Sequence, residues 1–203
     1  MEDFSVDILI GQGPTARTVS MPINSFTLVG ATTRVASLSR PLIGRFGIQE
    51  RLEFYDEESL AKILLRSSAV WGMELDELGA RELGRRSRGT PRIANRLLRR
   101  SRDFAIFEGT KTISADVITR ALSCLDIDKK GLDHMDRKIL TTIRDRYSGG
   151  PVGIDTLAAT LGEEKMTIEE VYEPFLVHHG FLIRGPRGRE LSQLGFNHLT
   201  QVG

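Results

Sequence analysis

The chain has 203 residues, of which 40% are hydrophobic and 27% charged, as is ordinary for a globular protein. Its formal net charge of +1 gives no bulk attraction to nucleic acid or to an anionic membrane surface. A single cysteine, Cys124, excludes an internal disulfide and is typical of a reducing compartment, so we expect a cytoplasmic location. The first residues lack a signal-peptide pattern, and no apolar stretch has the roughly 18 residues that cross a membrane.

Positive charge is concentrated in two segments. Nine arginines lie within residues 81–102 beside a single acid, Glu82, and a second cluster comprises Arg184, Arg187 and Arg189. Clustered cations can bind phosphate where the average charge of the chain cannot. The first segment is equally consistent with contact to acids of an adjoining subunit or with a solvated face, and a solvated face is the usual case.

The first quarter of the chain has strand patterns. Residues 4–21 alternate between apolar and polar side chains around a Gly-Pro turn, which predicts a β-hairpin. The apolar run at 26–31 predicts a strand buried on both faces, as in a parallel sheet. Residues 49–55 alternate again and predict another strand, while 37–46 predict a short helix or a loop.

The pattern becomes helical at Asp56, and four helices are predicted from apolar periodicity and capping residues. The first follows Asp56 and the second covers about 76–88. The third has Thr90 as N-cap and Pro91 at its first position, and Ser114 caps the fourth. We expect these helices to form a small bundle.

A polar linker at 126–131 separates this bundle from three further helices and a hairpin. The helices are predicted at 133–146, 154–161 and 167–179. The hairpin follows, with its turn at 185–188, and this order is typical of a winged helix. We therefore divide the chain into domains at 1–55, 56–128 and 129–203.

Thr32 lies just beyond the first predicted buried strand. Ligands of open parallel sheets bind beyond the carboxyl ends of the strands, so a hydroxyl there can orient a water against a γ-phosphate. The alternative is a plain turn after a strand, because threonine is common there.

Arg45 lies between Gly44 and the Phe46-Gly47 pair, after a loop that contains proline. An outward arginine on such a flexible loop can neutralise the γ-phosphate of a neighbouring subunit in the transition state. The alternative is an ordinary surface arginine.

Arg92 is the second residue of the predicted third helix. A helix N-terminus favours anions, so a cation placed there is unfavourable for the helix itself and indicates an anionic ligand. The alternative is an ion pair with Glu82 or another acid.

The turn that contains Arg184, Arg187 and Arg189 can reach duplex phosphates or a minor groove. The preceding helix carries several acids, which argues against its lying deep in a major groove. Contact by the wing, without sequence readout, is therefore the better hypothesis, and a plain surface hairpin is its alternative. The histidines and the one cysteine lack metal-ligand spacing, so no metal site is predicted.

Several long segments of the chain closely resemble the RuvB family, the AAA+ motors of bacterial Holliday-junction branch migration. They are 1–4, 10–17, 26–34, 45–48, 51–55, 89–100, 149–153 and 186–189. This resemblance implies a fold class of α/β plus all-α: the C-terminal part of an AAA+ core with parallel strands and a hairpin, then a four-helix lid and a winged helix.

The resemblance also implies a function. It implies a hexameric ring that hydrolyses ATP, with Mg²⁺ held by residues absent from this chain, and that acts in DNA recombination and repair. The implied partners are duplex and four-way junction DNA, and RuvA, which would dock on the 4–21 hairpin.

Roles for individual residues follow by position. Thr32 is similar to the sensor-1 hydroxyl, Arg45 to the trans-acting arginine finger and Arg92 to the sensor-2 arginine. The resemblance implies that the nucleotide is further lined by Glu2, Asp3, Phe4 and Tyr55. It implies DNA contacts by Arg184 and Arg189, with Arg187 between them.

Two departures from the family pattern bear on function. Ile43-Gly44 stands where the family usually has Arg-Asp, which predicts a looser loop before Arg45. No Gly-x-x-x-x-Gly-Lys-[Ser/Thr] motif and no strand ending in paired acids occurs, so we expect a fragment or a truncated gene product that does not hydrolyse ATP by itself. The rival hypotheses are a winged-helix regulator without enzymatic activity and a clamp-loader subunit, and the Gly-Pro-Arg-Gly wing disfavours the latter.

Overall fold

The computed structural model describes residues 4–11 and 17–202. Two compact units divide the chain, Met1–Leu52 and Glu53–Gly203. The predicted roles of Glu2 and Asp3, and most of the predicted turn of the N-terminal hairpin, lie outside the described residues.

A β-hairpin opens the first unit. Strand β1 (Ser5–Ile10) pairs antiparallel with β2 (Arg17–Pro22), with the first residue of one strand opposite the last residue of the other. The hairpin predicted at 4–21 is therefore confirmed, since alternation and turn residues are local signals. Its apolar side chains remain accessible to solvent, with Leu9 69% and Ile10 58% exposed. The two strands form an arm rather than one face of a packed core.

The two strands predicted at 26–31 and 49–55 are not formed. Neither segment pairs as a strand within the described residues, and Val29 and Leu52 are 85% and 94% exposed. A strand that is buried on both faces needs neighbouring strands for its hydrogen bonds and covering elements for its side chains. The described sheet of the first unit contains only β1 and β2, which pair with each other. The local pattern alone therefore does not produce strands here.

A short helix lies where 37–46 were predicted to be a helix or a loop. Helix α1 (Arg40–Gly44) has Pro41 in its first turn, where a missing N–H costs no hydrogen bond. A single 3₁₀ turn (Val35–Ser37) precedes it.

The second unit begins with the predicted four-helix arrangement. Its helices are α2 (Glu57–Val70), α3 (Glu77–Arg85), α4 (Pro91–Phe107) and α5 (Ala115–Cys124). Two short strands, β3 (Glu74–Leu75) and β4 (Thr112–Ile113), pair in parallel and join the α2–α3 loop to the α4–α5 loop. This pairing was not predicted, because two residues are too few to form a periodic pattern.

Side-chain caps explain where these helices begin. Asp56 accepts a hydrogen bond from the Ser59 amide at 2.6 Å, and Ser114 accepts one from the Val117 amide at 3.4 Å. Such caps satisfy amides that have no partner within the helix. The apolar faces then pack into one cluster whose fully buried members include Leu60, Leu64, Leu83, Leu97, Leu98 and Ile118.

A winged helix follows. Its helices are α6 (His134–Tyr147), α7 (Ile154–Leu161), α8 (Lys165–Thr167), α9 (Glu173–His178) and α10 (Gln193–Val202). Its wing consists of β5 (Leu182–Gly185) and β6 (Gly188–Leu191), which pair antiparallel. Val152 adds an isolated bridge to Arg189.

Two features of the winged helix differ from the prediction. The helix predicted at 167–179 consists of α8, a π-helical turn (Ile168–Tyr172) and α9. Helix α10 was not predicted, although Ser192 marks its start by accepting a hydrogen bond from the Gly195 amide at 3.0 Å. Leu199 of this helix is 7% exposed and belongs to the apolar cluster of the winged helix. That cluster is separate from the one in the four-helix bundle.

We predict that Gly188→Ala destabilises the winged helix. Gly188 has φ = 134°, and a Cβ there would overlap the Val152 carbonyl oxygen, which is backbone and cannot move away cheaply. The expected loss of unfolding free energy is on the order of 3 kcal/mol. Urea denaturation of the whole chain, followed by circular dichroism, measures this loss.

Two further glycines serve as controls for this prediction. Gly162 also has positive φ, but a Cβ added there would meet no atom within 4 Å, and Gly185 in the same turn as Gly188 has ordinary φ. We expect Gly162→Ala to cost about 1 kcal/mol and Gly185→Ala less. Equal losses at Gly188 and Gly162 would show that the clash with Val152 contributes nothing.

Candidate functional site

Thr32 has its hydroxyl in a local turn. Its Oγ1 accepts a hydrogen bond from the Arg34 amide at 3.0 Å, and both residues are exposed. This is the arrangement that the plain-turn alternative predicts, and it leaves the remaining lone pair and the hydroxyl proton available to a ligand.

Arg45 lies at the C-terminal end of α1, where its amide donates to the Leu42 carbonyl at 3.2 Å. Its side chain is exposed and lines a shallow depression of about 420 Å³. The other lining residues are mostly apolar and include Phe4, Phe26 and Phe46. Two of the predicted nucleotide contacts in the first unit, Phe4 and Arg45, therefore border the same depression.

Arg92 is exposed in the first turn of α4. No acid among the residues that the structure describes pairs with it. Glu82, the partner considered in the alternative hypothesis, instead binds Arg85 and Arg86. The alternative hypothesis of an ion pair between Arg92 and Glu82 is therefore wrong.

Helix α4 has no side-chain cap. Thr90 stands at the N-cap position as predicted, but its hydroxyl donates to the Ser87 carbonyl at 3.3 Å and caps no amide of the helix. The amides of Arg92 and Ile93 thus start the helix without a side-chain acceptor. Uncapped amides and a helix dipole make this end attractive to an anion.

Tyr55 lies beside the turn that leads into α4. Its amide donates to the Gly89 carbonyl at 2.8 Å, and its ring is half exposed. The adjacent Phe54 packs against Gly89 so closely that a Cβ there would lie 2.7 Å from that of Phe54. Tyr55 and Arg92, the two predicted nucleotide contacts of the second unit, thus flank one tightly held turn.

The arginines of 81–102 do not share one helix face, because α3 ends at Arg85 and α4 begins at Pro91. Arg99 and Arg102 cover the ring of Trp71, with guanidinium carbons 6.0 and 5.0 Å from its centroid. The solvated-face hypothesis therefore holds for only part of this segment.

Arg88 has a role that the sequence did not indicate. Its side chain is 11% exposed and forms ion pairs with Asp133, at 2.8 Å, and with Asp136. Its Nε donates to the Gly131 carbonyl at 3.0 Å, and its guanidinium carbon lies 4.6 Å from the centroid of the Phe175 ring. These partners are more than 40 residues away in the chain, so no local pattern could have shown them.

Asp136 is fully buried at the N-terminus of α6. One carboxyl oxygen accepts from Arg88 and from the Asp133 amide, while Oδ1 has no partner among the described residues. Burial raises the pKa of Asp136 to about 7, although the charge of Arg88 opposes this shift. The carboxyl group therefore keeps its proton in the folded chain to a higher pH than it does in the unfolded chain.

The wing presents its three arginines in different ways. Arg187 is 81% exposed, and the carboxylate of Glu190 lies 3.8 Å away. Arg184 is 57% exposed and lies 3.3 Å from a carboxylate oxygen of Glu173. Arg187 can turn to a phosphate, since an exposed ion pair is weak, whereas the pair of Arg184 has a buried carboxylate partner.

The burial of Arg189 argues against the DNA contact predicted for it. It is 7% exposed, and its guanidinium donates to Glu173 at 2.7 and 3.1 Å and to Glu169 at 3.0 Å. A guanidinium enclosed by two carboxylates in this way does not face a DNA backbone. Its residue type suggested contact, but its position on the inner face of β6 buries it.

Groups of three or more metal-ligating side chains are absent from the described part of the chain. Nor does that part contain a helix long and apolar enough to cross a membrane.

The fold and the site together define a class. A helical bundle with an exposed arginine at an uncapped helix start, followed by a winged helix, is the arrangement of the lid and C-terminal end of an AAA+ protein. Three family models match the chain: the "Holliday junction DNA helicase RuvB P-loop domain" over 1–52, the "RuvB AAA lid domain" over 55–128 and the "RuvB C-terminal winged helix domain" over 129–200. The chain belongs to the RuvB family.

Individual relatives agree with this assignment. The Holliday junction branch migration complex subunit RuvB of Lawsonia intracellularis (strain PHE/MN1-00) is 54% identical over 98% of this chain and 59% of its own length. The Thermotoga maritima RuvB Holliday junction branch migration motor superposes with a TM-score of 0.81 at 47% identity, over 88% of this chain and 60% of that one. A variant of the same protein in which a proline is replaced by glycine superposes with a TM-score of 0.83 at 44% identity, over 98% of this chain and 62% of that one. The chain thus spans about three fifths of the length of these relatives.

Four of the solved variants of the Thermotoga protein replace an alanine, a threonine, an arginine and a proline. Those residues follow one another at the same intervals as Ala31, Thr33, Arg45 and Pro91 of this chain. The spacing aligns the substituted threonine with Thr33, which adjoins the predicted Thr32.

We predict that the free energy of unfolding falls as the pH rises from about 4 to 7, because Asp136 loses its proton in this range. The native state binds a proton with a pKa of about 7, against an ordinary pKa of 3.8, so this contribution is complete below about pH 4 and is lost as pH rises through 7. The expected loss between pH 5 and pH 8 is on the order of 2 kcal/mol. Urea denaturation at both pH values measures it.

The Asp136→Asn variant should lack this part of the pH dependence. Asp155→Asn, at a carboxylate that is 81% exposed, should keep the wild-type dependence. An unchanged difference between pH 5 and pH 8 in Asp136→Asn would contradict the assignment to Asp136.

We predict that Arg189→Gln destabilises the winged helix strongly. The change leaves Glu173, whose side chain is 3% exposed, without its principal partner. Breaking such a buried pair costs about 3–5 kcal/mol, whereas Arg187→Gln on the exposed turn should cost less than about 0.5 kcal/mol. Thermal and urea denaturation of both variants compare the two sites, and equal stabilities would place Arg189 among the surface residues.

Proposed function

We propose that this chain is the lid and winged-helix end of an ATP-driven motor that migrates Holliday junctions, together with part of its AAA+ core. The observation that carries the proposal is Arg92, an exposed guanidinium beside uncapped amides at the start of α4. Similarity to RuvB proteins supports the motor and does not favour the winged-helix regulator. We propose domains at 1–55, 56–128 and 129–203, which the family matches at 1–52, 55–128 and 129–200 support.

The residues of the second unit fit a nucleotide polyphosphate. Arg92 supplies positive charge, the first amides of α4 supply hydrogen-bond donors, and Tyr55 borders the turn that leads to both. ATP supplies the free energy of the motor. We propose that Arg92 binds the polyphosphate and that Tyr55 and Phe4, with Glu2 and Asp3, line the nucleotide.

Catalysis would need residues of the first unit as well. We propose that Arg45 acts on the γ-phosphate of a neighbouring subunit, where a guanidinium stabilises the charge of the transition state. We propose that Thr32, or the adjacent Thr33, orients the attacking water. We propose that Mg²⁺ is held by residues of a P-loop half and that the chain by itself does not hydrolyse ATP, since its sequence has no Gly-x-x-x-x-Gly-Lys-[Ser/Thr] motif.

DNA binding is assigned to the wing. We propose that Arg184 and Arg187 contact phosphates of duplex or junction DNA, and that Arg189 supports them from inside. The apolar side chains along the β1–β2 arm support docking of RuvA there. We further propose a hexameric ring in the bacterial cytoplasm that acts in DNA recombination and repair.

We predict that Arg92→Ala lowers ATP turnover about a hundredfold or more, since one lost charge-stabilising donor typically has this effect. The measurement uses a full-length protein that joins this chain to a P-loop half. Arg96→Ala, at an exposed arginine one turn further along α4, is the matched control and should keep wild-type turnover. Wild-type turnover in Arg92→Ala would refute the role of Arg92.

We predict that the whole chain binds duplex DNA without sequence preference and that Arg187→Ala weakens binding. Removing one phosphate contact should reduce the slope of log affinity against log salt by about one. Fluorescence anisotropy of labelled duplexes at several salt concentrations measures this slope. Arg146→Ala, at an exposed arginine of α6 outside the wing hairpin, is the control. A strong preference for one duplex sequence would favour the regulator instead.

A further inference from the structure

The turn between α3 and α4 is held by its own backbone and by the segment before α2. The Thr90 amide donates to the Ser87 carbonyl at 3.0 Å, and the Gly89 carbonyl accepts from the Tyr55 amide at 2.8 Å. Ser87 is fully buried. These hydrogen bonds set the shape of the turn and the start of α4, and none of them involves a residue of the winged helix.

A second set of contacts joins the same turn to the winged helix. Arg88, which has φ = 52°, directs its guanidinium to the Gly131 carbonyl and to the carboxylates of Asp133 and Asp136 at the start of α6. The same guanidinium lies over the ring of Phe175 in α9. One side chain of the lid therefore touches two helices of the winged helix.

Neighbouring contacts strengthen this connection between the turn of the lid and the winged helix, which we call the joint. Gly131 has φ = 83°, and a Cβ there would lie 2.9 Å from the Arg86 carbonyl oxygen, so the linker passes directly against the turn. Arg137 donates to the Asp126 carbonyl at 3.0 Å, and His198 bonds to Asp128 at 2.8 Å. The linker at 126–131 is thus packed on both sides rather than free to swing.

We propose that Arg88 is a positioning residue that fixes the turn ahead of Arg92 to the start of α6, so that the lid and the winged helix move as one body when a polyphosphate binds or leaves Arg92. The polyphosphate part of this inference rests on the proposed function. Arg92 follows Arg88 by four residues, with only the turn and the first turn of α4 between them. A displacement at Arg92 therefore reaches α6 and α9 through the Arg88 side chain.

The first experiment tests the rigid joint in the chain as it exists. Spin labels at Cys124 of α5, the only cysteine, and at Arg146→Cys of α6 allow pulsed electron paramagnetic resonance to measure distances between the lid and the winged helix. We expect a narrow distribution in the otherwise unchanged chain and a broad one in Arg88→Ala. Arg88→Lys, which keeps the charge but loses the planar fork, should lie between them. Arg96→Ala is the matched control and should remain narrow.

An unchanged narrow distribution in Arg88→Ala overturns the proposal. If Arg88→Ala does not fold, the double variant Asp133→Asn/Asp136→Asn replaces it, because asparagine still caps α6 while both ion pairs with Arg88 are lost. A broader distribution in the double variant supports the joint, and an unchanged one overturns it.

The second experiment tests whether Arg88 couples DNA binding to the rate of ATP turnover. In a full-length protein with a P-loop half, ATP turnover is measured with and without duplex DNA. Arg88→Ala should lower the ratio of the two rates about fivefold or more, the lower end of typical coupling between sites, and leave the rate without DNA unchanged. A loss of both rates in proportion indicates a merely structural role and overturns the proposal.

The distance measurement on Arg88→Ala and the turnover measurement on Arg92→Ala together separate this inference from the proposed function. Broad distances in Arg88→Ala, combined with wild-type turnover in Arg92→Ala, would leave the rigid joint standing and refute the nucleotide role of Arg92.

Discussion

The largely buried guanidinium of Arg88 connects the lid to the winged helix, and the proposed rigid joint depends on it. The described apolar clusters of these two parts are separate, and Arg88 adds polar contacts at their boundary. Arg88 meets a carbonyl, two carboxylates and an aromatic ring there. Such contacts are directional, and a partner lost from a buried network leaves a costly unpaired group.

The winged helix uses an arginine in the same way. Arg189 is enclosed by Glu169 and Glu173, and it joins β6 to the π-helical turn and α9. The wing is therefore held at its base by a buried ion pair while Arg187 remains exposed at its tip. Arg189 is thus a structural arginine of the wing, while Arg184 and Arg187 of the same wing are the proposed phosphate contacts. Contacts that order the wing before binding would lower the entropic cost of such an encounter.

Sequence reasoning succeeded where the signal was local. Helix starts at Asp56 and Ser114 follow from caps within four residues, and the two hairpins follow from alternation and turn residues. It was wrong for the strands at 26–31 and 49–55, because a buried strand exists only together with its neighbours.

The same distinction between local and distant signals applies to the residues of the candidate site. Arg92 could be singled out from its place at a helix start, which is local information. The burial of Arg189 and the partners of Arg88 depend on residues far along the chain, and arginine is usually a surface residue, so its type pointed the wrong way. Family resemblance supplied roles for residues but not the state of each side chain.

Trp71 gives the lid an optical property of its own. It is the only tryptophan of the chain, and the guanidinium groups of Arg99 and Arg102 lie over its ring. Intrinsic fluorescence excited at the red edge of the indole band, where tyrosine does not absorb, therefore originates in the lid alone. Any change in that emission when a ligand meets the wing would have travelled across the domain boundary, so the unlabelled protein carries its own indicator of communication between its parts.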